Sequence, residues 1–235
     1  MTPQRDALCV ALDGSDRQWI LDTADALIGQ VGWLKLGLEA FAAHGPDLVR
    51  ELSRRETRVF LDLKLHDIPA TVRRAAANCA ASGARLLTVH ASGGRAMLEA
   101  ALQGARQASA ESSLKLIAVT VLTSLDAAAL AELGISEGPE QTVLRWADLA
   151  RQCGADGVVA SAREAASIRA RCGPDFTIVT PGIRPSWHGS DDQRRAVTPA
   201  EAVAAGADIL VIGRPITRAE SPIDAVRRIV AEMEG

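Results

Sequence analysis

The chain is short of aromatic side chains, of paired cysteines and of excess charge, and each shortage removes a class of function. Among 235 residues there are only four Trp and three Phe, too few to build a platform on which nucleic-acid bases stack. The formal net charge is −3, which gives no overall attraction for nucleic acid or for an anionic membrane surface. No apolar run is long enough to span a bilayer. Cys9, Cys79, Cys153 and Cys172 show no C-x-x-C spacing and read as small buried thiols in a reducing compartment, not as a disulfide or zinc framework. His44, His66, His90 and His188 are scattered and form no H-E-x-x-H pattern, so no metal site is expected. The N-terminal stretch Met1–Asp6 leads into a strand-like run without the apolar core and cleavage site of a signal peptide, and the expected location is the cytoplasm.

What is present is alternation. Hydrophobic residues make up 48% of the chain, and short runs of Val, Ile and Leu recur between longer Ala- and Arg-rich stretches. The expected strands are Leu8–Leu12, Trp33–Leu38, Arg58–Leu63, Arg85–His90, Lys115–Leu122, Gly157–Ala160, Phe176–Thr180 and Ile209–Ile212. Helical patterns separate them, among others Thr71–Ala81, Arg95–Ala108, Thr142–Gln152 and Ala162–Ala170. Apolar strands without polar alternation, each followed by a helix, indicate a parallel sheet covered on both faces. Eight such units in this length fit a closed (β/α)8 TIM barrel better than an open sheet. Gly83-Ala-Arg, Gly154-Ala-Asp and Gly206-Ala-Asp each close a helix ahead of a strand, as a terminating glycine does. No linker or low-complexity segment interrupts the pattern, so residues 1–235 are read as a single domain. Its active site is expected at the C-terminal ends of the strands.

Those strand ends carry charge. In Phe60-Leu-Asp-Leu-Lys-Leu-His-Asp-Ile-Pro-Ala-Thr71, Asp62 and Lys64 are two apart and share a face if the strand is regular. Asp67 lies beyond, where His66 and Pro69 suggest that the strand has ended. A buried ion pair alone says little about stability, and charges gathered at a strand end point instead to a site. Lys35 is a lone cation in the apolar strand Trp33-Leu-Lys-Leu-Gly-Leu38. A barrel has no edge strand for it to escape from, so it is expected to point inward with Asp13 or Asp62 as partner.

The other ends are less pointed. His90 in His90-Ala-Ser-Gly-Gly94 serves equally as a hydrogen-bonded core histidine or a ligand contact. Thr123 and Ser124 present hydroxyls that suit either a site or a helix cap. Strand seven opens into a long polar loop, Thr180 to Arg195, of the kind that forms lids or binding loops. Strand eight gives Leu210-Val-Ile-Gly-Arg-Pro-Ile-Thr217, with Gly213 permitting close backbone approach and Arg214 offering a forked donor where such barrels hold phosphate.

Taken together these segments resemble the orotidine 5′-monophosphate decarboxylases. The matching stretches are Ala11-Leu-Asp13, Leu34-Lys-Leu-Gly37, Phe60 to Pro69, Val119-Thr-Val-Leu-Thr-Ser124, Thr180-Pro-Gly-Ile-Arg184 and Val211 to Thr217. They span nearly the whole chain in order. The D-x-K-x-x-D-I-P segment joined to I-G-R-P on strand eight is the specific combination. One departure is Ala70, where many bacterial members carry Asn; it leaves the charged set untouched.

The resemblance implies cofactor-free, metal-free conversion of orotidine 5′-monophosphate to UMP and CO2 in pyrimidine biosynthesis. It implies Lys64 as the acid that protonates C6 of the pyrimidine, with Asp62, Lys35 and Asp67 completing an alternating charge network. Asp13 and Lys35 would hold the ribose hydroxyls. Asp67 and Thr71 would come from the second subunit of a homodimer. Ser124, with Thr123 beside it, would face the pyrimidine, and Arg184, Gln193, Gly213 and Arg214 would hold the phosphate. Two rivals share part of the pattern. Mg²⁺-dependent sugar-phosphate decarboxylases and aldolases of the same superfamily carry D-x-K-x-x-D but place an acidic ligand on strand two, where this chain has Lys35. A non-catalytic nucleotide-binding barrel would be expected to lack part of the charged set.

Overall fold

A computed structural model describes residues 2–55, 57–107, 114–188 and 197–234. Eight parallel strands close in sequence order into one barrel: β1 (Leu8–Ala11), β2 (Trp33–Gly37), β3 (Val59–Leu65), β4 (Leu86–His90), β5 (Lys115–Val119), β6 (Gly157–Val159), β7 (Thr177–Thr180) and β8 (Ile209–Ile212). The helices are α1 (Pro3–Ala7), α2 (Arg17–Leu27), α3 (Leu38–Ser53), α4 (Pro69–Ala81), α5 (Gly94–Gln107), α6 (Ala127–Glu132), α7 (Pro139–Cys153), α8 (Ala162–Cys172), α9 (Pro199–Ala204), α10 (Arg214–Thr217) and α11 (Pro222–Glu234). The expected eight strands are all present, as the TIM barrel requires.

The boundaries shift for local reasons. The first turns of α4 and α7 start on Pro69 and Pro139, earlier than periodicity suggested, because proline is preset for a helix start. Helix α3 is broken at Gly45-Pro46, where Gly45 adopts φ 61°. Strand β5 stops at Val119 instead of Leu122: Thr120 still donates its N–H to Val159, after which Leu122 and Leu125 close a turn. The predicted end of α5, Ala108, lies outside the described residues. At the three Gly-Ala steps the chain turns as expected, and Gly83, Gly154 and Gly206 all have φ between 90 and 94°.

Strand parity sorts the side chains into two cores. Outward-facing residues such as Val10, Leu34, Leu61 and Leu87 pack beneath the helices. Inward-facing Cys9, Phe60, Leu86, Ile117, Val179 and Ile209 fill the barrel's lower interior, each large side chain contributing about 1.5–3 kcal/mol by its burial. This apolar plug forms the floor on which the polar residues of the upper layer stand.

Candidate active site

One step up strands β2, β3 and β4, parity turns the inward positions polar. Lys35 stands above Trp33, Asp62 above Phe60, and Thr88 above Leu86. Lys35 is 7% exposed, and its Nζ donates to Asp13 Oδ1 at 2.8 Å and lies 3.8 Å from Asp62 Oδ2. The partner left open by the sequence is therefore both acids, with Asp13 nearer. Burial disfavours the Lys35 ammonium, but the charges of Asp13 and Asp62 and the Asp13 hydrogen bond outweigh it, leaving its pKa above the ordinary 10.5. Cys9 does not compete for the proton role below. Burial above all, against the pull of Lys35, pushes its thiol well up, so it stays neutral.

Gly37 explains part of this geometry. A Cβ there would come within 3.0 Å of Asp13 Oδ1 and 3.2 Å of Lys35 Nζ. The absent side chain makes room for the ion pair.

Lys64 completes the row. Its Nζ donates to Asp62 Oδ2 at 2.8 Å, so Asp62 stands between two ammonium groups. Asp62 and Lys64 face the same cavity, as expected of residues two apart, but regular pleating is not what brings them there. Strand β3 runs on to Leu65, and between Leu61 and Leu65 it slips against β4, whose partners there are Leu87 and Val89. Three residues on β3, Asp62 to Lys64, thus oppose the single residue Thr88 on β4. Lys64 takes up the excess with φ 50°, alone among the described non-glycine residues in having a positive φ. Such a conformation costs on the order of 1–3 kcal/mol and is tolerated where surroundings hold it in place. Here the hold is Thr88: its Oγ1 accepts the Lys64 N–H at 2.9 Å and donates to Asp62 Oδ1 at 2.8 Å.

A cavity of about 190 Å³ opens over this row. Its charged wall is Lys35, Asp62 and Lys64, its floor and far wall are Phe60, Val119, Val159, Val179 and Val211, and Thr123 stands on its rim. Ser124 is exposed in the same turn. Few polar groups facing an apolar cavity is the usual composition of a small-molecule site, and the apolar surroundings strengthen each electrostatic contact.

The remaining candidates lie around this rim. Asp67 is exposed and its Oδ1 accepts the N–H of its neighbour Ile68 at 2.6 Å; it joins neither lysine within this chain. Thr71, half-buried, sits in the first turn of α4. Arg184 and Arg214 follow the ends of the adjacent strands β7 and β8, with Arg184 only 9% exposed. A Cβ on Gly213 would meet Ala11 at 3.4 Å, an ordinary contact, so the fold itself does not demand glycine there. Gln193 lies outside the described residues. Among the described residues no group of three His, Cys, Asp or Glu side chains is placed to hold a metal ion, and no helix is long and apolar enough to cross a membrane.

The loop after β7 is tied down at its base. Ile183 pairs with Val197, and Arg184 N–H donates to Val197 O at 2.9 Å. Helix α11 holds the outgoing arm: Glu232 accepts the Ser186 N–H at 3.0 Å, and the Arg228 guanidinium lies 4.0 Å from the centre of the Trp187 ring. These anchors, like Thr88, escaped the sequence reading, which searched strand ends and not strand interiors or the last helix.

His90 sits at the end of β4 with its ring 5.4 Å from that of His66. Burial, then the neighbouring His66 and Lys64, holds its pKa below the usual 6.5, with Asp62 pulling the other way. The unfolded chain therefore takes up this proton at a higher pH than the folded one. Stability falls as pH drops below 6.5, by at most about 1.4 kcal/mol per pH unit from this group. On acidification the melting temperature of wild type should fall relative to that of His90→Gln; parallel curves would show that His90 carries none of the acid sensitivity.

A family model described as the orotidine 5'-phosphate decarboxylase / HUMPS family matches residues 6–229. The chain is 51% identical over 234 residues to an orotidine 5'-phosphate decarboxylase of Moorella thermoacetica, covering 98% of this chain and 93% of that protein. To the enzyme of that name from Chromobacterium violaceum it is 52% identical over 222 residues, covering 94% and 88%. Among solved structures, the orotidine 5'-phosphate decarboxylase of Lactobacillus acidophilus is similar with a TM-score of 0.86 at 35% identity, covering 97% of this chain and 99% of that one. With a family match over nearly its whole length and relatives at half identity, this chain belongs to the orotidine 5'-phosphate decarboxylase / HUMPS family.

Proposed function

We propose that this protein decarboxylates orotidine 5′-phosphate to UMP and CO2, a step of pyrimidine biosynthesis, without a cofactor. The observation that carries the reading is the row Lys35–Asp62–Lys64, with Asp62 2.8 Å from one ammonium and 3.8 Å from the other, facing an apolar cavity. Loss of CO2 from C6 leaves a carbanion with no electron sink in the ring. A fixed ammonium supplies both the field that stabilises it and the proton that quenches it. Lys64 takes that part. A substrate carboxylate set near Asp62 would be repelled: two like charges about 4 Å apart cost about 4 kcal/mol at an effective dielectric near 20.

The other roles rest on the family resemblance. Asp13 and Lys35 hold the ribose hydroxyls, Ser124 and Thr123 face the pyrimidine, and Arg184, Gln193, Gly213 and Arg214 hold the phosphate. Phosphate binding far from C6 then supplies energy for orienting the reacting carbon. The whole chain, residues 1–235, acts as one domain, in the cytoplasm, as a homodimer whose partner chain contributes Asp67 and Thr71.

The family also contains members that work through Mg²⁺. What favours the metal-free reading is Lys35, whose ammonium already occupies the space between Asp13 and Asp62 and would repel a second cation. The test is an ultraviolet assay of purified protein with orotidine 5′-phosphate before and after exhaustive EDTA treatment. Turnover should persist unchanged. Activity abolished by chelation and restored by Mg²⁺ would favour the metal-dependent class, and UMP binding without turnover would mark a non-catalytic barrel.

A further inference from the structure

We propose that Thr88 is a positioning residue for the Lys64–Asp62 pair, holding the lysine's backbone and the aspartate's carboxylate with a single hydroxyl. The inference rests on the reading of Lys64 and Asp62 as the reacting pair. Thr88 lies in the middle of β4, is fully buried, and is not among the residues lining the cavity. It therefore reaches the chemistry only through its neighbours.

The direction of the hydrogen bonds is forced. The Lys64 backbone N–H is a donor only, so Thr88 Oγ1 must accept it. The hydroxyl's own proton is then free for one acceptor, and Asp62 Oδ1 lies 2.8 Å away. With Oδ1 engaged, Oδ2 is the oxygen left to receive Lys64 Nζ and to face Lys35 Nζ. One hydroxyl thus sets the rotation of the carboxylate and the position of the ammonium together.

The backbone slip shows why a side chain is needed at this point. Leu61 pairs with Leu87 and Leu65 with Val89, so Thr88 is the one β4 residue opposite the excess length of β3. The ladder offers Lys64 no carbonyl in register there. Thr88 Oγ1 fills that place and stabilises the left-handed backbone that lifts Lys64 Nζ toward the cavity. A Val at this position would keep the shape and leave both partners without their bond.

The test compares Thr88→Val, Thr88→Ala and Thr88→Ser with Lys64→Ala, using orotidine 5′-phosphate turnover and UMP affinity measured by calorimetry. Misplacing a reacting group by about 1 Å costs on the order of a hundredfold, so kcat should fall about a hundredfold in Thr88→Val. KM and UMP affinity should stay within about threefold, since the phosphate-binding arginines are untouched. Thr88→Ser, which restores the hydroxyl, should recover most of the loss. The proposal is overturned if Thr88→Val keeps kcat within about twofold of wild type, or if Thr88→Ser falls as far as Thr88→Val. It also falls if both hydroxyl-free variants lose UMP binding, because the hydroxyl would then be holding the fold and not the pair. Full turnover in Lys64→Ala would instead remove the catalytic reading itself, whatever the Thr88 variants do.

Discussion

Replacing Lys64 with alanine should remove nearly all turnover while leaving UMP affinity largely intact. The ammonium is the cation nearest to Asp62 and opens onto the cavity, so on the proposed mechanism its loss takes away the proton donor and the stabilising charge together. Lys35 cannot substitute, being committed to Asp13 at 2.8 Å and 3.8 Å from Asp62. Backbone strain does not confuse the comparison, because alanine and lysine meet the same penalty at φ 50°. The stability effect should be modest, since Lys64 is 30% exposed and its ion pair is partly screened by solvent. Retention of more than a tenth of the wild-type kcat, a loss below about 1.4 kcal/mol, would reject Lys64 as the acid.

Mixing two inactive variants should restore activity. Asp67→Ala and Lys64→Ala would each be inactive alone if Asp67 serves the neighbouring subunit's site. Within its own chain Asp67 is exposed and bonded to the Ile68 amide, out of the Lys35–Asp62–Lys64 row. A two-fold contact repeats every residue in both sites. A heterodimer would then have one site with wild-type Lys64 and wild-type Asp67, and one lacking both. About half of the wild-type activity per heterodimer is expected by that symmetry. A mixture that stays as inactive as its parents, after subunit exchange has been demonstrated by mass spectrometry, would place Asp67 in its own chain's chemistry.

Much of the architecture was legible because parallel strands buried on both faces leave a repeated apolar signal, and because glycines such as Gly154 mark where each helix stops. The gathering of Asp13, Lys35 and Asp62 was legible too, since a charge inside a closed barrel has few places to go. The conformation of Lys64 was not. A pleat argument assumes that neighbouring strands advance together, and the slip between Leu61 and Leu65 breaks that assumption. Thr88 was hidden for a related reason: a threonine in a strand is what strand propensity favours anyway, and only the contacts of its hydroxyl distinguish it. The anchoring of Trp187 depends on Arg228 of α11, more than forty residues further along the chain, beyond the reach of any local pattern.

The bridge between Ile183 and Val197 joins the two arms of the excursion after β7 at its base. The chain leaves and re-enters the barrel at one point, and α9 then begins under its own capping box at Thr198 and Glu201. Lengthening such an excursion costs the framework little, because closure entropy grows only by about 0.6 kcal/mol per doubling of length. Length between those two residues can thus change among descendants of this barrel while the charged row on β2 and β3 stays put, although Ser186 and Trp187 remain tied to α11. The scaffold separates what can lengthen from what must keep its register: an insertion beyond the bridge needs no compensating change in the strands.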